Sequence, residues 1–343
     1  MNIYKSAIPT GYVFVGEYSR GNLETLSIGD YGKHKNVKAD FLGYTKPING
    51  VSNDYCMPLT EKWVVTVSSQ YGCPQSCTFC DVPNIKFMGN ATTDDLRNQL
   101  YNAISLFPVK YTERLNLHYA RMGEPIYNDS VFEFSEWIIE NKGQIYRDTG
   151  LRIEVIHPVL TTSMPNSLAN IGSRIHRWCD IKNQLYRGQA GLQLSINSTN
   201  DIQRDKMFGG KSLTLDQISE ICKNLPDPIS RKYCLNFAYS TDFEIDARKL
   251  RTLFNPETFM CKITPIHNNH TCKHNGIETI GGYTSYAPYI KPEEDLKSEG
   301  FDVLVFIPSM DEEDSTVTCG NAILGGGTIC TNDIIKIKGI SND

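Results

Sequence analysis

The 343-residue chain has no apolar run approaching the roughly 18 residues that a membrane-spanning helix needs, and its mean hydropathy is -0.34. A membrane protein is excluded on that reading. The opening Met1-Asn2-Ile3-Tyr4-Lys5-Ser6 lacks the apolar stretch of a secretory leader, so a cytoplasmic protein is expected. Positive charge is not in excess: 34 Lys and Arg stand against 39 Asp and Glu, for a net charge of -5 and a pI near 5.9. That excludes a protein that holds nucleic acid by bulk charge, although not one with a local basic patch. Internal repeats and low-complexity tracts are missing as well. The eleven cysteines are odd in number, and a reducing compartment disfavours a disulfide framework. Metal binding or thiol chemistry is the better use for them.

What is present is an alternation of strand-like and helix-like segments. Six stretches rich in Val, Ile, Leu and aromatics read as strands: 63–69, 114–119, 151–160, 191–196, 232–238 and 261–266. Helix patterns fall between them at 93–106, 131–141, 166–178, 215–224 and 245–253, the first with Thr92 or Thr93 as its N-cap and Asp94 and Asp95 in its first turn. Repeated strand–helix order predicts a parallel sheet, either curled into an open barrel or extended as a doubly wound sheet. About 60 residues precede the first unit, with a strand at 12–18 and a Gly/Asn-rich run from Gly43 to Asn53. A helix near 292–299, a strand at 301–307 and a loop carrying Cys319 follow the last.

The most specific local signal is Gly72-Cys73-Pro74-Gln75-Ser76-Cys77-Thr78-Phe79-Cys80, directly after the first of the six strands. Structural zinc sites usually close with four ligands from two Cys pairs, and no partner pair follows here. A [4Fe–4S] cluster normally takes four cysteines, so three leave one iron open for a chelating substrate. Active sites of barrel-type folds gather at the C-terminal ends of parallel strands, which is where this loop is expected.

The spacing C-x3-C-x2-C with an aromatic residue before the last cysteine resembles the signature of radical S-adenosylmethionine (SAM) enzymes. Along 62–327 the chain is further similar to the RlmN/Cfr family of radical SAM methyltransferases, which methylate adenine in RNA. Val67-Ser68-Ser69-Gln70-Tyr71-Gly72-Cys73 resembles that family's lead-in, and Met122-Gly123-Glu124-Pro125 with Asn128 resembles its M-G-x-G-E-P-x-x-N. Thr161-Thr162-Ser163, Leu194-Ser195-Ile196-Asn197, Arg204-Asp205 and Cys319-Gly320-Asn321 stand where the family has S-T-S, L-S-L-H, R-D and A-C-G-Q.

The resemblance implies a partial (β/α)6 barrel of the TIM type, with an N-terminal β-rich cap over 1–60, a core over 61–270 and a C-terminal extension over 271–343 carrying Cys319. It implies Cys73, Cys77 and Cys80 as ligands of a [4Fe–4S] cluster whose open iron binds SAM, and one electron then cleaves SAM to methionine and a 5′-deoxyadenosyl radical. Gly123, Glu124, Thr161, Ser195, Asn197 and His267 would hold SAM. Cys319 would accept a methyl group from one SAM before its transfer to a nucleobase carbon. An electron donor such as flavodoxin or ferredoxin, and a nucleic acid or nucleoside substrate, are implied as partners.

Two departures bear on substrate handling. The family's second catalytic cysteine is replaced by Thr66, a hydroxyl that cannot attack sulfur as a thiolate does; Cys56 and Cys330 are the nearest replacements. A Glu of the family is replaced by Asn53, with Asp54 beside it, and the short cap stands in place of a helical RNA-recruiting domain. These changes leave open an alternative, a radical SAM isomerase or other modifying enzyme acting on a nucleoside, hypermodified base or small molecule without methyl transfer. A non-catalytic metal-binding module would require the SAM motifs to be coincidental. Weaker signals are the basic-aromatic run Arg174-Ile175-His176-Arg177-Trp178 with Lys182 and Arg187, better read as a solvated helix face; Gly325-Gly326-Gly327, read as a turn; and His267 to His274, read as a loop over the active site more than a second metal centre.

Overall fold

The computed structural model describes residues 2–5, 11–29, 57–308, 312–313, 317–318, 320, 322–326 and 334–336. Its strands in chain order are β1 (Asn2–Lys5), β2 (Tyr12–Tyr18), β3 (Gly21–Gly29), β4 (Trp63–Val67), β5 (Gln70–Tyr71), β6 (Gly89–Asn90) and β7 (Tyr111–Tyr119). They continue with β8 (Arg152–Thr162), β9 (Gly191–Ser195), β10 (Tyr233–Tyr239), β11 (Phe259–Pro265), β12 (Val303–Val305) and β13 (Ile334–Lys336). Among the described residues eleven strands form one sheet in the order β12-β11-β10-β9-β8-β7-β4-β3-β2-β1-β13. From β4 to β12 every neighbour is parallel and each strand lies beside its predecessor in the sheet. A doubly wound sheet would reverse direction midway; this one does not, so the topology is that of the open, partial barrel. Strands β1–β3 extend it antiparallel beyond β4, through the pairing of Leu26 with Thr66 and Gly29 with Trp63.

The helices are α1 (Met57–Glu61), α2 (Thr93–Ser105), α3 (Asp129–Glu140), α4 (Lys142–Thr149), α5 (Ile171–Asp180), α6 (Asp201–Met207), α7 (Leu215–Cys222), α8 (Ala247–Leu253), α9 (His270–Asn275) and α10 (Ala287–Ser298). The capping chemistry expected at 92–95 is present: Thr92 Oγ1 accepts from Asp95 N at 3.1 Å while Asp95 accepts from Thr92 N at 2.9 Å. Helix α5 starts at Ile171, five residues later than its sequence pattern suggests, and ends in a π-helical stretch, Ile181–Leu185. The short α4 and α6 were not legible in the sequence. Helix α10 runs through Pro292, which the sequence reading placed at a helix start.

One face of the parallel sheet is apolar throughout. Trp63, Val65, Leu115, Leu117, Tyr119, Leu160, Leu192, Leu194, Leu235, Phe237, Cys261 and Ile263 belong to a single buried core under the helices. Trp178 of α5 is fully buried there, lies edge-on to Tyr119 and Phe132, and donates Nε1–H to Gly191 O at 2.9 Å. Alternate strand residues point the other way. Thr66, His118, Thr161, Gln193, Ser195, Asn236, Lys262 and Thr264 occupy the opposite, concave face and are partly exposed. The sheet thus separates an apolar layer, which makes the fold stable, from a polar concavity.

Candidate active site

The C-terminal ends of the parallel strands form one rim, and the sequence-predicted residues gather there. Strand β4 ends at Val67, and the following backbone is fixed by Gln99 of α2, which accepts from Ser68 N at 2.8 Å and donates to Ser68 O at 3.0 Å. The chain then forms the β5–β6 hairpin and turns at Gly72, whose φ of 78° and closeness to Lys86 O, 2.8 Å from a Cβ placed there, admit only glycine. Cys73, Cys77 and Cys80 follow, half-buried and not joined in disulfides. Cys77 and Phe79 pack against Met207, Phe208 and Ile266, while Cys73 and Cys80 pack against Val82, Met122 and Ala322. Burial pushes the Cys73 thiol up to about 12. Gly209 touches the loop so closely that a Cβ would stand 2.7 Å from Ser76 O. Among the described residues no three His, Cys, Asp or Glu side chains are gathered closely enough to hold a metal ion as they stand.

Beside this loop, the turn after β7 places Gly123 with φ 100°, and a Cβ there would collide with Gln70 Cβ at 2.6 Å. Gln70 Oε1 accepts from Glu124 N at 2.8 Å. The buried Glu124 carboxylate accepts from both Ser163 N and Ser163 Oγ at 2.8 Å, so it fixes the end of β8. Burial raises its carboxyl above the ordinary range, against the pull of those two hydrogen bonds. Ser163 O in turn accepts from Arg204 at 3.1 Å, and the same buried guanidinium donates to Ser195 O at 2.5 Å and Ile196 O at 2.6 Å. Burial lowers Arg204 to about 9. Asn197, at the left-handed φ of 62°, accepts from Ala238 N at 2.9 Å and closes the rim onto β10. Gln70, Glu124, Ser163, Arg204 and Ser195 therefore form a continuous chain of hydrogen bonds from β5 across the C-terminal ends of β7, β8 and β9. Thr161 lies just below it on the concave face, donating to Gln193 at 3.4 Å.

His267, after β11, is held at Nδ1 by Tyr283 OH at 2.8 Å and Glu313 Oε2 at 3.0 Å. Glu313 also accepts from Asn268 N, Tyr283 OH and Thr318 Oγ1. Burial pushes the Glu313 carboxyl up, but the opposing His267 and these donors outweigh it, so its value falls below the ordinary carboxylate range. Cys319 lies outside the described residues, as do Cys56, Cys330, Asn53, Asp54, Asn321 and Gly327. Its neighbours are placed: Gly320 O accepts from Asp81 N at 2.9 Å and from Asn269 Nδ2 at 3.3 Å, and Thr318 O accepts from Arg121 at 3.4 Å. Gly325 presses on the same loop, where a Cβ would stand 2.4 Å from Asp81 O.

A buried ion pair ties these parts together. Arg121, at the start of the β7 turn, donates to Glu24 of β3 at 2.8 and 3.1 Å, and both side chains are shielded from solvent. The second Glu24 oxygen accepts from Leu324 N at 2.6 Å. Leu324 itself packs against Val82, Met122 and Ala322, the same cluster that Cys73 and Cys80 pack against.

The concave face below the rim suits a polar organic ligand. It presents hydroxyl, amide and amine groups, and two of its buried oxygens, Asn116 Oδ1 and Thr264 Oγ1, have no hydrogen-bond partner. Thr66 belongs to it, paired with His118 in the neighbouring strand. In the cysteine loop Gln75 Oε1 and Asp81 Oδ2 are likewise buried and unpartnered.

The weaker sequence signals resolve into packing. Arg174 pairs with Asp129 at 2.8 Å and Arg177 with Glu136 at 3.1 Å, while Trp178 and Lys182 are buried, so the basic run is neutralised by α3 and its own core. Gly326 turns at φ 99°. Cys272 is buried and donates to Phe79 O at 3.3 Å, whereas His270 and His274 are exposed. Sequence reasoning missed Glu24, Arg121 and Glu313. The lone charge in the apolar stretch of β3 was the available clue to Glu24; Glu313, within an acidic run, offered none.

No family model matches the chain. In sequence it is similar to the dual-specificity RNA methyltransferase RlmN of Desulfotalea psychrophila, 24% identical over 225 residues that cover 63% of this chain and 57% of that protein. The probable RlmN of Pseudothermotoga lettingae is 24% identical over 207 residues, covering 59% and 54%. The RlmN of Desulfosudis oleivorans is 26% identical over 221 residues, covering 62% and 54%. The chain thus spans little more than half the length of the curated relatives it matches. In structure it is similar to a radical SAM methyltransferase from Sphaerobacter thermophilus, with a TM-score of 0.62, 16% identity, and 94% of this chain and 79% of that one covered. The mixed α/β fold with its large parallel sheet is that of a radical SAM methyltransferase. No helix among the described residues is long and apolar enough to cross a membrane.

Proposed function

We propose that the chain is a radical SAM methyltransferase of the RlmN type, acting on a nucleobase carbon. The relatives are named RNA methyltransferases, which favours a nucleic acid or nucleoside as substrate. Cys73, Cys77 and Cys80 would supply the donor set of a [4Fe–4S] cluster: three soft sulfur ligands on one loop. Metal binding and local folding are coupled, so these three sulfurs would converge on the cluster as they bind it. When bound, the cluster supplies the electron, drawn from a flavodoxin- or ferredoxin-like donor, that cleaves SAM to a 5′-deoxyadenosyl radical.

The chain's own residues bind and orient. Gly123, Thr161 and Ser195 line the SAM cradle, Glu124 and Asn197 fix the strand ends that form it, and His267 closes it at β11. The observation that carries the methyl-transfer reading is the seating of the segment around Cys319. Thr318, Gly320 and Gly325 are all tied to the cysteine loop or its neighbours, which suits Cys319 as a methyl carrier. Mass spectrometry of Cys319 in protein from SAM-replete cells tests this, with a methylated cysteine expected. An unmodified cysteine together with SAM cleavage would instead favour a radical SAM enzyme without methyl transfer, the reading that Thr66 on the concave face supports.

A further inference from the structure

We propose that the outer surface of the cysteine loop docks single-stranded RNA, with Phe87 as the ring on which a base stacks and Arg20, Lys86, Lys211 and Lys273 as contacts to the phosphates. This inference rests on the RlmN-type reading of the chain and names the part of the substrate that stays outside the concave face. A net charge of -5 gives no bulk attraction for such a strand. The cations that hold it have to be local.

Three segments frame the loop that carries Cys73, Cys77 and Cys80. Residues 84–88 meet α9 through Asn84 Nδ2, which donates to Thr271 Oγ1 at 3.3 Å, and α9 meets the loop through Asn275 Nδ2, which donates to Thr78 O at 2.7 Å. Residues 205–211 meet it through Lys211 Nζ, which donates to Pro74 O at 2.7 Å. Lys86, Lys211 and Lys273 are exposed, as is Arg20 in the turn between β2 and β3. The Arg20 guanidinium lies over the β5–β6 hairpin, where a Cβ on Gly89 would stand 2.6 Å from Nη1. None of these four cations forms an ion pair among the described residues, whereas the basic run on α5 is paired with carboxylates of α3. Asp205, beside Lys206, is the one acidic residue within the three framing segments. Next to Lys86, Phe87 and Met88 are 42% and 47% exposed. Their backbone is fixed: Ile85 N donates to Val82 O at 2.9 Å and Met88 N to Tyr71 O at 2.8 Å. A rigid, exposed ring among unpaired cations suits a single strand, whose bases stack on aromatic faces while its phosphates meet Lys and Arg. A base presented to the concave face has left its own stack, and the nucleotides flanking it lie on the rim.

The test is the fluorescence anisotropy of labelled oligouridylate, about ten nucleotides long, titrated with the full chain. Neither the cluster nor SAM turnover enters this readout. The wild type should bind with an affinity that falls steeply as salt rises. Phe87→Ala should weaken binding about tenfold with the salt slope unchanged, and Phe87→Tyr should bind as the wild type does. Lys86→Ala and Lys273→Ala should each reduce the slope of log affinity against log salt by about 0.7, the value of one phosphate contact on a single strand. Lys223→Ala, whose lysine pairs with Glu220 on α7, should leave binding unchanged. Unaltered affinity in Phe87→Ala and both loop-flanking lysine variants, an equal loss in Lys223→Ala, equal competition by polyglutamate, or tighter binding of the deoxy strand would overturn the proposal. Were binding to respond as expected while Cys319 is never methylated in cells, the docking surface would stand and the methyl-transfer reading would fall. Methylated Cys319 with affinity unchanged in every variant would do the reverse.

Discussion

The two faces of one parallel sheet are built for opposite purposes. The helix-covered face is continuous hydrocarbon: Leu115 beside Ile156, Leu160 beside Leu192, Leu235 beside Cys261. The concave face, made by the alternate residues of the same strands, carries Thr66, Thr161, Gln193, Ser195, Asn236 and Lys262, partly open, with two buried oxygens unpartnered. Period-two alternation lets one strand serve stability on one side and binding on the other. Substitutions on the two faces should therefore separate stability from ligand affinity.

The largest expected effect comes where the faces meet, at the Glu24–Arg121 pair. Removing one partner of a buried pair strands a charge, so Glu24→Ala should cost about 3–5 kcal/mol in denaturant unfolding. It should also loosen the segment held through Leu324, seen as faster proteolysis near Cys319. Next is Trp178→Phe on the apolar face, which keeps the packing but leaves Gly191 O without its donor, at about 1–3 kcal/mol. SAM affinity measured by calorimetry should change little in that variant.

A pH effect comes third. Burial, then the charges of Arg114, Arg231 and Lys62, push His157 down to about 4, whereas an unfolded imidazole titrates near 6.5. As pH falls through that window the unfolded chain takes up the proton first. Stability present above about 6.5 should thus be lost progressively toward 4, and His157→Gln should flatten that part of the stability–pH curve. The smallest effect is expected from Asn116→Leu on the concave face. Its Oδ1 has no partner to lose, so stability should stay within about 1 kcal/mol. A loss of several kcal/mol there would show that the concave face is also structural core.

Much of this molecule was legible in its sequence because strand and motif signals are local. The six core strands and their order follow from apolar runs between capped helices, and β2 spans the expected 12–18. The rim residues were identified by motif, but their division of labour was not. Glu124 and Asn197, expected as SAM ligands, also bond the ends of β8 and β10, a role set by strand neighbours far apart in the chain. Glu24 and Arg121 are 97 residues apart, and no spacing rule connects them. His267 and Glu313 meet only because the chain returns from α10 and β12 across the rim. Strand β12 joins the sheet beside β11, pairing Cys261 with Val303, a neighbour that the apolar run expected at 301–307 does not by itself reveal.

The central claim, a radical SAM site built on three cysteines, is tested most directly by the metal content of anaerobically reconstituted protein together with SAM cleavage after reduction. The account predicts about four irons per chain, formation of 5′-deoxyadenosine, and loss of both in Cys77→Ala. Tightly bound zinc without iron, and intact SAM after reduction, would contradict it.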